Sequence, residues 1–386
     1  MVDYDFLSVY FYSVPNLRFS YKGDWSKRKL NEICHFFKGN GLSKSDLSNE
    51  GFPCILYGEL YTTYKNEVIS DIISKTNTTL SNPFLSRNND LIIPGSGEDP
   101  IDIAVARAIY QNDIILGGDL NILRPKSNVS AAFLSYQLNG VRRYDIAKKA
   151  QGKSIVHLHN SDLKEVLVSI PSCDEQLHIV KLLTKIDEMI ETQSKIIDDY
   201  NSLKMGIYNC MFKENYADYK LKQLAYIVKG DQINNDQLLS NGSYYMMNGG
   251  ASPSGYLDSY NVSKNTISIS EGGNSCGYVQ FNSSPFWSGG HCYTIQNVNS
   301  ALIENKYLYH YLKYKEKEIM NLRIGTGLPN IQKKDLENFT ILVPSLLIQR
   351  KNLALFEMLD EKISILNEEL ANLQKQKKYL LCNMFI

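Results

Sequence analysis

No apolar run in this chain approaches the roughly 18 residues that a membrane-spanning helix needs. The opening residues, MVDYDFLSVYFY, carry Asp3 and Asp5 where a secretory signal would place Lys or Arg, and no cleavage site follows. The expectation is a soluble cytoplasmic protein. Neither sign of charge is in excess: 41 Lys and Arg stand against 41 Asp and Glu. This balance disfavours coating nucleic acid by bulk electrostatics, although it leaves room for a reader whose partners supply positive charge. Cysteine pairing is also missing. The seven cysteines (Cys34, Cys54, Cys173, Cys210, Cys276, Cys292, Cys382) are odd in number and form no C-x-x-C pair. Reduced packing thiols are expected rather than a disulfide framework. Cys276, His291 and Cys292 match no zinc spacing, so packing is expected there and no metal.

Catalytic signatures are equally sparse. Gly152-Lys153-Ser154 resembles the end of a phosphate-binding loop, but position 147, where the motif needs its first Gly, is Ala147. Asn82-Pro83-Phe84 reads as a turn, since no glycine-rich cofactor loop accompanies it. Glu304-Asn305-Lys306 has nuclease-like spacing without a preceding acidic partner. There is no G-x-S-x-G and no H-E-x-x-H. His157 and His159 alternate as on a strand edge, and only His157 has a polar counterpart, Asn330, in the repeat described next. A noncatalytic chain without cofactors is expected.

What the chain does have is an internal repeat. Of its 386 residues, 43% are hydrophobic and 21% charged, as in ordinary globular proteins, and the length suggests two or three domains. Tyrosine is abundant at 26, against 14 Phe and 2 Trp, and suits binding surfaces as well as strands. A shift of 173 residues superposes Gly152 on Gly325, Asp162-Leu163 on Asp335-Leu336, Pro171-Ser172 on Pro344-Ser345 and Gln176 on Gln349. The same shift aligns Asp187-Glu188 with Asp360-Glu361, Lys204 with Lys377 and Met211-Phe212 with Met384-Phe385. Upstream matches are weaker. Trp25, Leu30 and Ile33 align with Tyr219, Leu224 and Ile227 at a shift of 194, and Gly39, Leu47, Gly51 and Gly58 align with Gly230, Leu238, Gly242 and Gly249 at 191. The order is a variable region, a shared segment, a variable region and a shared segment.

After Pro171 and Pro344 the apolar spacing alternates between three and four, which predicts a coiled-coil seam. The seam runs through Leu183, Ile186, Ile190 and Ile197 in one copy and Leu359, Ile363, Leu370 and Leu373 in the other. Each seam, from 183 to 211 and from 356 to 384, spans 29 residues, about 43 Å of helix. The two helices are expected to pair antiparallel with pseudo-twofold symmetry. Lys204 and Lys377 fall at the same step of the two seams. They could fix register, but snorkelling to water is the expected behaviour. Ile179, Leu182, Met189 and Ile196 are expected to leave the outer helix face partly apolar.

The variable regions, 25–150 and 214–324, read as α+β domains. Short strand-like runs such as Cys54–Gly58, Leu91–Gly95 and Thr266–Ser270 precede helical stretches at Ala131–Leu138 and Lys306–Tyr314. Their net charges are +2 and 0. Turns between the strands are rich in Gly, Asn, Ser and Arg, which let backbone approach a ligand and can hydrogen-bond bases or phosphates. The candidate DNA-contacting residues are Lys44, Tyr57, Arg87, Asn88 and Ser96 in the first region, and Asn248, Glu271, Asn274 and His291 in the second.

The duplicated set resembles the specificity subunit of type I restriction-modification systems. The likeness begins at Val14-Pro15-Asn16-Leu17-Arg18-Phe19 and Trp25…Leu30-Asn31-Glu32-Ile33. It is densest at Gly152…Ser161-Asp162-Leu163…Ile170-Pro171-Ser172…Glu175-Gln176…Ile186-Asp187. It recurs at Gly325-Thr326-Gly327-Leu328-Pro329-Asn330-Ile331…Asp335-Leu336…Pro344-Ser345…Gln349…Leu359-Asp360, where Ile348 replaces the Glu175 of the first copy. The resemblance implies an N-terminal segment 1–24, target-recognition domains 25–150 and 214–324, and conserved helical spacers 151–213 and 325–386. Each recognition domain would read half of a bipartite double-stranded DNA target. The seam helices would separate the halves and dock methyltransferase subunits, two being expected, with restriction and motor subunits joining for cleavage. The alternatives are a recognition subunit of a type II-like bifunctional enzyme and a protein-only coiled-coil adaptor.

Overall fold

The computed structural model describes residues 14–212, 216–325, 327 and 329–386. Thr326, Leu328, the opening residues 1–13 and the boundary at 213–214 lie outside the described residues. The chain folds as two compact units: the described part of Met1–Ser194 with Glu368–Ile386, and Lys195–Asn367. Each is α+β and combines one variable region with stretches of both long helices.

In the first unit, Ser26–Lys29 pairs antiparallel with Leu167–Ile170, Ser26 opposite Ile170. Beside it lies a five-stranded sheet in the order Cys34–Lys38, Leu120–Pro125, Asp90–Pro94, Arg107–Ile109, Val68–Ile69. The central strand Asp90–Pro94 is buried throughout, as its apolar run Leu91-Ile92-Ile93 requires. A smaller sheet orders Ile115–Leu116, Phe52–Ile55, Ser74–Thr76 and Leu47–Ser48. The helix Ala131–Asn139 is buried nearly all round and lies in the core, its start capped by Ser130 accepting from the Phe133 N–H.

The second unit repeats the plan. Ala217–Lys220 pairs with Thr340–Val343, and a four-stranded sheet orders Tyr226–Lys229, Cys292–Gln296, Thr266–Ser270 and Val279–Asn282. The helix Asn305–Tyr314 takes the place of Ala131–Asn139. Ladder register corrects one part of the sequence alignment. The Leu30 N–H bonds the Val166 carbonyl, and the Leu221 N–H bonds the Phe339 carbonyl. Leu30 therefore matches Leu221 and Trp25 matches Tyr216, at 191 rather than 194. The sequence admits both because a three-residue slip in a short amphipathic turn lays Leu and Ile on the same apolar face.

The long helices run Cys173–Met211 and Leu346–Asn383, 39 and 38 residues, so both begin well before the seam. The extra turns pack on the domain cores: Ile179 is 1% exposed and Leu182 packs against the same cluster. This corrects the expectation that these two residues face outward; Met189 does stay exposed. All eight named seam residues are buried or half-buried. In the first unit Gln193 meets Glu369 and Asp187 meets Lys377; in the second Lys204 meets Asp360. Residue numbers rise along one helix as they fall along the other, so the pairing is antiparallel. The seam lysines do not snorkel to water. Each is nearly covered and paired with the repeat-equivalent aspartate of the facing helix.

Among the described residues, no helix is long and apolar enough to cross a membrane.

Candidate nucleic-acid interface

The glycine-rich turns converge in the second unit. The Gly230 N–H bonds the Cys292 carbonyl, Gly289 N–H bonds Met247, Glu271 N–H bonds His291, and Ile331 N–H bonds Glu271. These bonds tie four turns into one rim around residues 229–232, 247–250, 271–277 and 288–291. Close approach demands glycine at Gly230, where an added Cβ would lie 2.4 Å from the Ser288 and Gly289 carbonyl oxygens.

The first unit closes the same rim with matching bonds: Gly39 to Leu120, Gly117 to Ile55, Gly95 to Asp119, and Leu158 to Gly95. Backbone equivalence therefore places Gly95 on Glu271, Asp119 on His291, Tyr57 on Gly249 and Lys38 on Lys229. The scaffold is common and the side chains are not.

Of the sequence candidates, Asn248, Glu271 and His291 come together. The Asn248 side-chain oxygen accepts the His291 backbone N–H at 2.9 Å. Glu271 is buried, its Oε1 accepting from Lys229 Nζ at 2.6 Å and the Tyr293 hydroxyl at 3.0 Å, and His291 Nδ1 lies 3.7 Å from Oε2. Burial first, then the bond to Glu271, holds the Tyr293 phenol protonated far above neutral pH. Asn274 is exposed further along the same turn. In the first unit Lys44 and Tyr57 line one cleft of about 710 Å³ with Asp119. Ser96 is buried on the rim, and its hydroxyl donates to Asp119 Oδ2 at 3.2 Å. Arg87 and Asn88 are exposed on a different turn, whose Arg87 N–H bonds Asp90 and whose Asn89 side chain accepts the Ala131 N–H. They are not brought to the rim bonds. Sequence reasoning missed Lys38, Asp119, Lys229 and Tyr293; sliding the chain by 172 residues lays Asp119 on His291 and would have found the pair.

The weak catalytic motifs have structural employment. Phe84 packs on Phe37, the Asn82 carbonyl accepts from the Asn40 amide, and Glu304 pairs with Arg350. Among the described residues, no cluster of three or more His, Cys, Asp or Glu side chains is placed to hold a metal ion. Cys276 donates to the Glu271 carbonyl, and burial pushes the Cys292 thiol up to about 11 and Cys34 up to about 12. These cysteines remain protonated packing groups.

Two rims with one backbone and different faces define a duplicated recognition scaffold. The chain belongs to the type I restriction modification DNA specificity domain family, whose model matches residues 22–199 and 213–375. It is thus the noncatalytic DNA-specificity subunit of a type I restriction-modification system. It is 35% identical over 155 residues to a Mycoplasma pneumoniae protein provisionally named a type I specificity subunit, an alignment covering 40% of this chain and 41% of that one. The specificity subunit of the type I restriction enzyme MjaVIII of Methanocaldococcus jannaschii is 22% identical over 407 residues, covering 93% of this chain and 91% of that one. The crystal structure of a type I restriction-modification S subunit from M. genitalium shares the fold, with TM-score 0.69 and 20% identity over 97% of this chain and 99% of that chain.

Proposed function

We propose that this chain reads a bipartite double-stranded DNA target, one half with each variable region (25–150 and 214–324), and that its conserved segments 151–213 and 325–386 dock two methyltransferase subunits, with restriction and motor subunits joining for cleavage. The observation that carries this reading is the rim built twice from matching backbone bonds but faced with different side chains. Such a design supports two related tasks with two different sequences. Apolar side chains standing exposed on the long helices, Leu177 in the first unit and Leu203, Leu347 and Met358 in the second, supply surface for protein partners. The near-zero net charge fits a reader whose partners grip the backbone.

The test is methylome sequencing of cells expressing the chain with and without a cognate type I methyltransferase subunit. A bipartite methyladenine motif that requires this chain is the expected result. An assembled complex that produces no such motif favours the protein-only adaptor.

A further inference from the structure

The backbone equivalence of Asp119 and His291 goes beyond a fold correspondence. Both side chains are exposed at the same step of the rim. Asp119 adopts a left-handed backbone (φ 56°), and its carboxylate accepts from Ser96. An ionised carboxylate can only accept. His291 is held differently. Its backbone N–H is fixed by Asn248, and its Nδ1 faces the buried Glu271 Oε2, which has no hydrogen-bond partner among the described residues. The ring's Nε2 is the nitrogen left for a ligand: with an Nδ1 proton turned toward Glu271 it accepts in the neutral ring and donates in the protonated one, whereas an ionised carboxylate never donates. Behind both positions stands an equivalent lysine. Lys229 is bonded to Glu271, while Lys38 is exposed, its ammonium disfavoured by partial desolvation and partly restored by Asp119.

We infer that Asp119 and His291 are paired specificity determinants, one per half-site, and that Glu271 is the positioning residue for His291. This rests on the DNA-reading proposal above. In the major groove, an accept-only carboxylate selects the amino group of cytosine or adenine and rejects guanine, which presents two acceptors. The imidazole, held through Nδ1 by Glu271, accepts from such an amino group when neutral and, as the imidazolium, also admits a guanine edge. The two half-sites therefore differ in kind at the base pair facing this step.

The experiment uses the full chain assembled with its methyltransferase, reading the methylated motif and the methylation rate on wild-type sites. Asp119→Asn retains a residue tolerated in the left-handed region but adds a donor. It is expected to relax or change one base in one half only, with the rate on the original site falling about tenfold to a hundredfold. His291→Ala is expected to do the same in the other half. Glu271→Gln should weaken discrimination at the same base as His291→Ala and at no other, an outcome that mere loss of packing would not produce. Assembled variants that methylate the wild-type motif at the wild-type rate overturn the inference. If the assembled wild-type complex yields no chain-dependent motif, the DNA-reading proposal itself falls and this inference with it.

Discussion

The two seam lysines occupy equivalent steps of equivalent helices, yet their surroundings differ. Lys377 meets Asp187 and Glu67, both at 2.6 Å, with all three side chains largely buried. Tyr136 completes the group by donating to Asp187 at 2.7 Å. Burial first, then the charge of Glu67, raises the Asp187 pKa despite Lys377. Among the described residues Lys204 pairs with one carboxylate, Asp360, whose side chain is 39% exposed, and lies over the Tyr208 ring. In place of Tyr136 stands His310, which receives the Tyr208 hydroxyl as its partner at 2.7 Å. The Lys–Asp pair belongs to the shared helices. Glu67, Tyr136 and His310 belong to the variable regions, and they decide how deeply the pair is committed. Duplication kept the register device and let each variable region close over it in its own way.

Removing the lysines should break this comparison most sharply. Lys377→Met strands two buried carboxylates and is expected to cost roughly 3–5 kcal/mol. Lys204→Met leaves one carboxylate that water can reach, at about 1 kcal/mol or less. Chemical denaturation of the two variants checks the difference, and equal losses would show that the third charge, Glu67, contributes nothing.

A second difference is a matter of pH. Burial, only partly opposed by Asp360, pushes His310 down to about 4, well below the ordinary imidazole value. The folded state then binds fewer protons than the unfolded state between those two values. The stabilising term is present above about pH 6.5 and is lost as pH falls through about 4, amounting to about 3 kcal/mol at most. Charged and titratable neighbours Lys204, Asp360, Glu357, Lys306 and Tyr208 face the ring and set this balance. Unfolding midpoints measured from pH 7.5 to 4.5 should fall for the wild type and fall less for His310→Gln.

Much of the fold was legible in the residues because its signals are local. Thr266–Ser270 forms its strand as read, Asp90–Pro94 differs from the reading by one residue, and the helices at 131 and 305 begin where their apolar runs begin. The seam was legible because its period repeats. Its electrostatics were not: Asp187 and Asp360 lie one step off the seam, and their meeting with Lys377 and Lys204 exists only once antiparallel register is set. Glu67 lies 310 residues from Lys377, a distance at which no spacing rule operates. The rim was half legible. Glycine and asparagine turns flagged Asn248, Glu271 and His291, whereas Asp119 follows two glycines in a turn without other marks. Arg87 and Asn88 lie on a turn whose Asn89 also caps the helix at Ala131, a contact that turn composition does not foretell.

The shared frame should respond alike in both copies where its contacts are alike. Gln176 accepts the Ser130 N–H and donates to the Asn128 and Pro171 carbonyls; Gln349 repeats this with Glu304, Leu302 and Pro344. Each glutamine is buried and ties its long helix to the start of the domain helix. Alanine at either position leaves a backbone N–H without its partner, at about 1–3 kcal/mol, and denaturation should give similar losses for the two. A loss confined to one copy would mean that the cores relax differently around a common contact.

The smallest effect tests the one departure inside the conserved motif. Glu175 is buried and grips Arg18 through two bonds of 2.6 and 2.7 Å, with the Trp25 indole N–H at 3.3 Å. Ile348 has its place in the second copy and is partly exposed. The acidic residue therefore serves the segment around Arg18 rather than the helix it begins. Glu175→Ile frees Arg18 to reach water and is expected to cost roughly 1 kcal/mol, together with faster proteolysis near Arg18. Ile348→Glu, which meets no such segment among the described residues, should leave stability within about half a kcal/mol. Limited digestion of the two variants distinguishes these outcomes, and a large loss on placing Glu at 348 would assign the position to the frame itself.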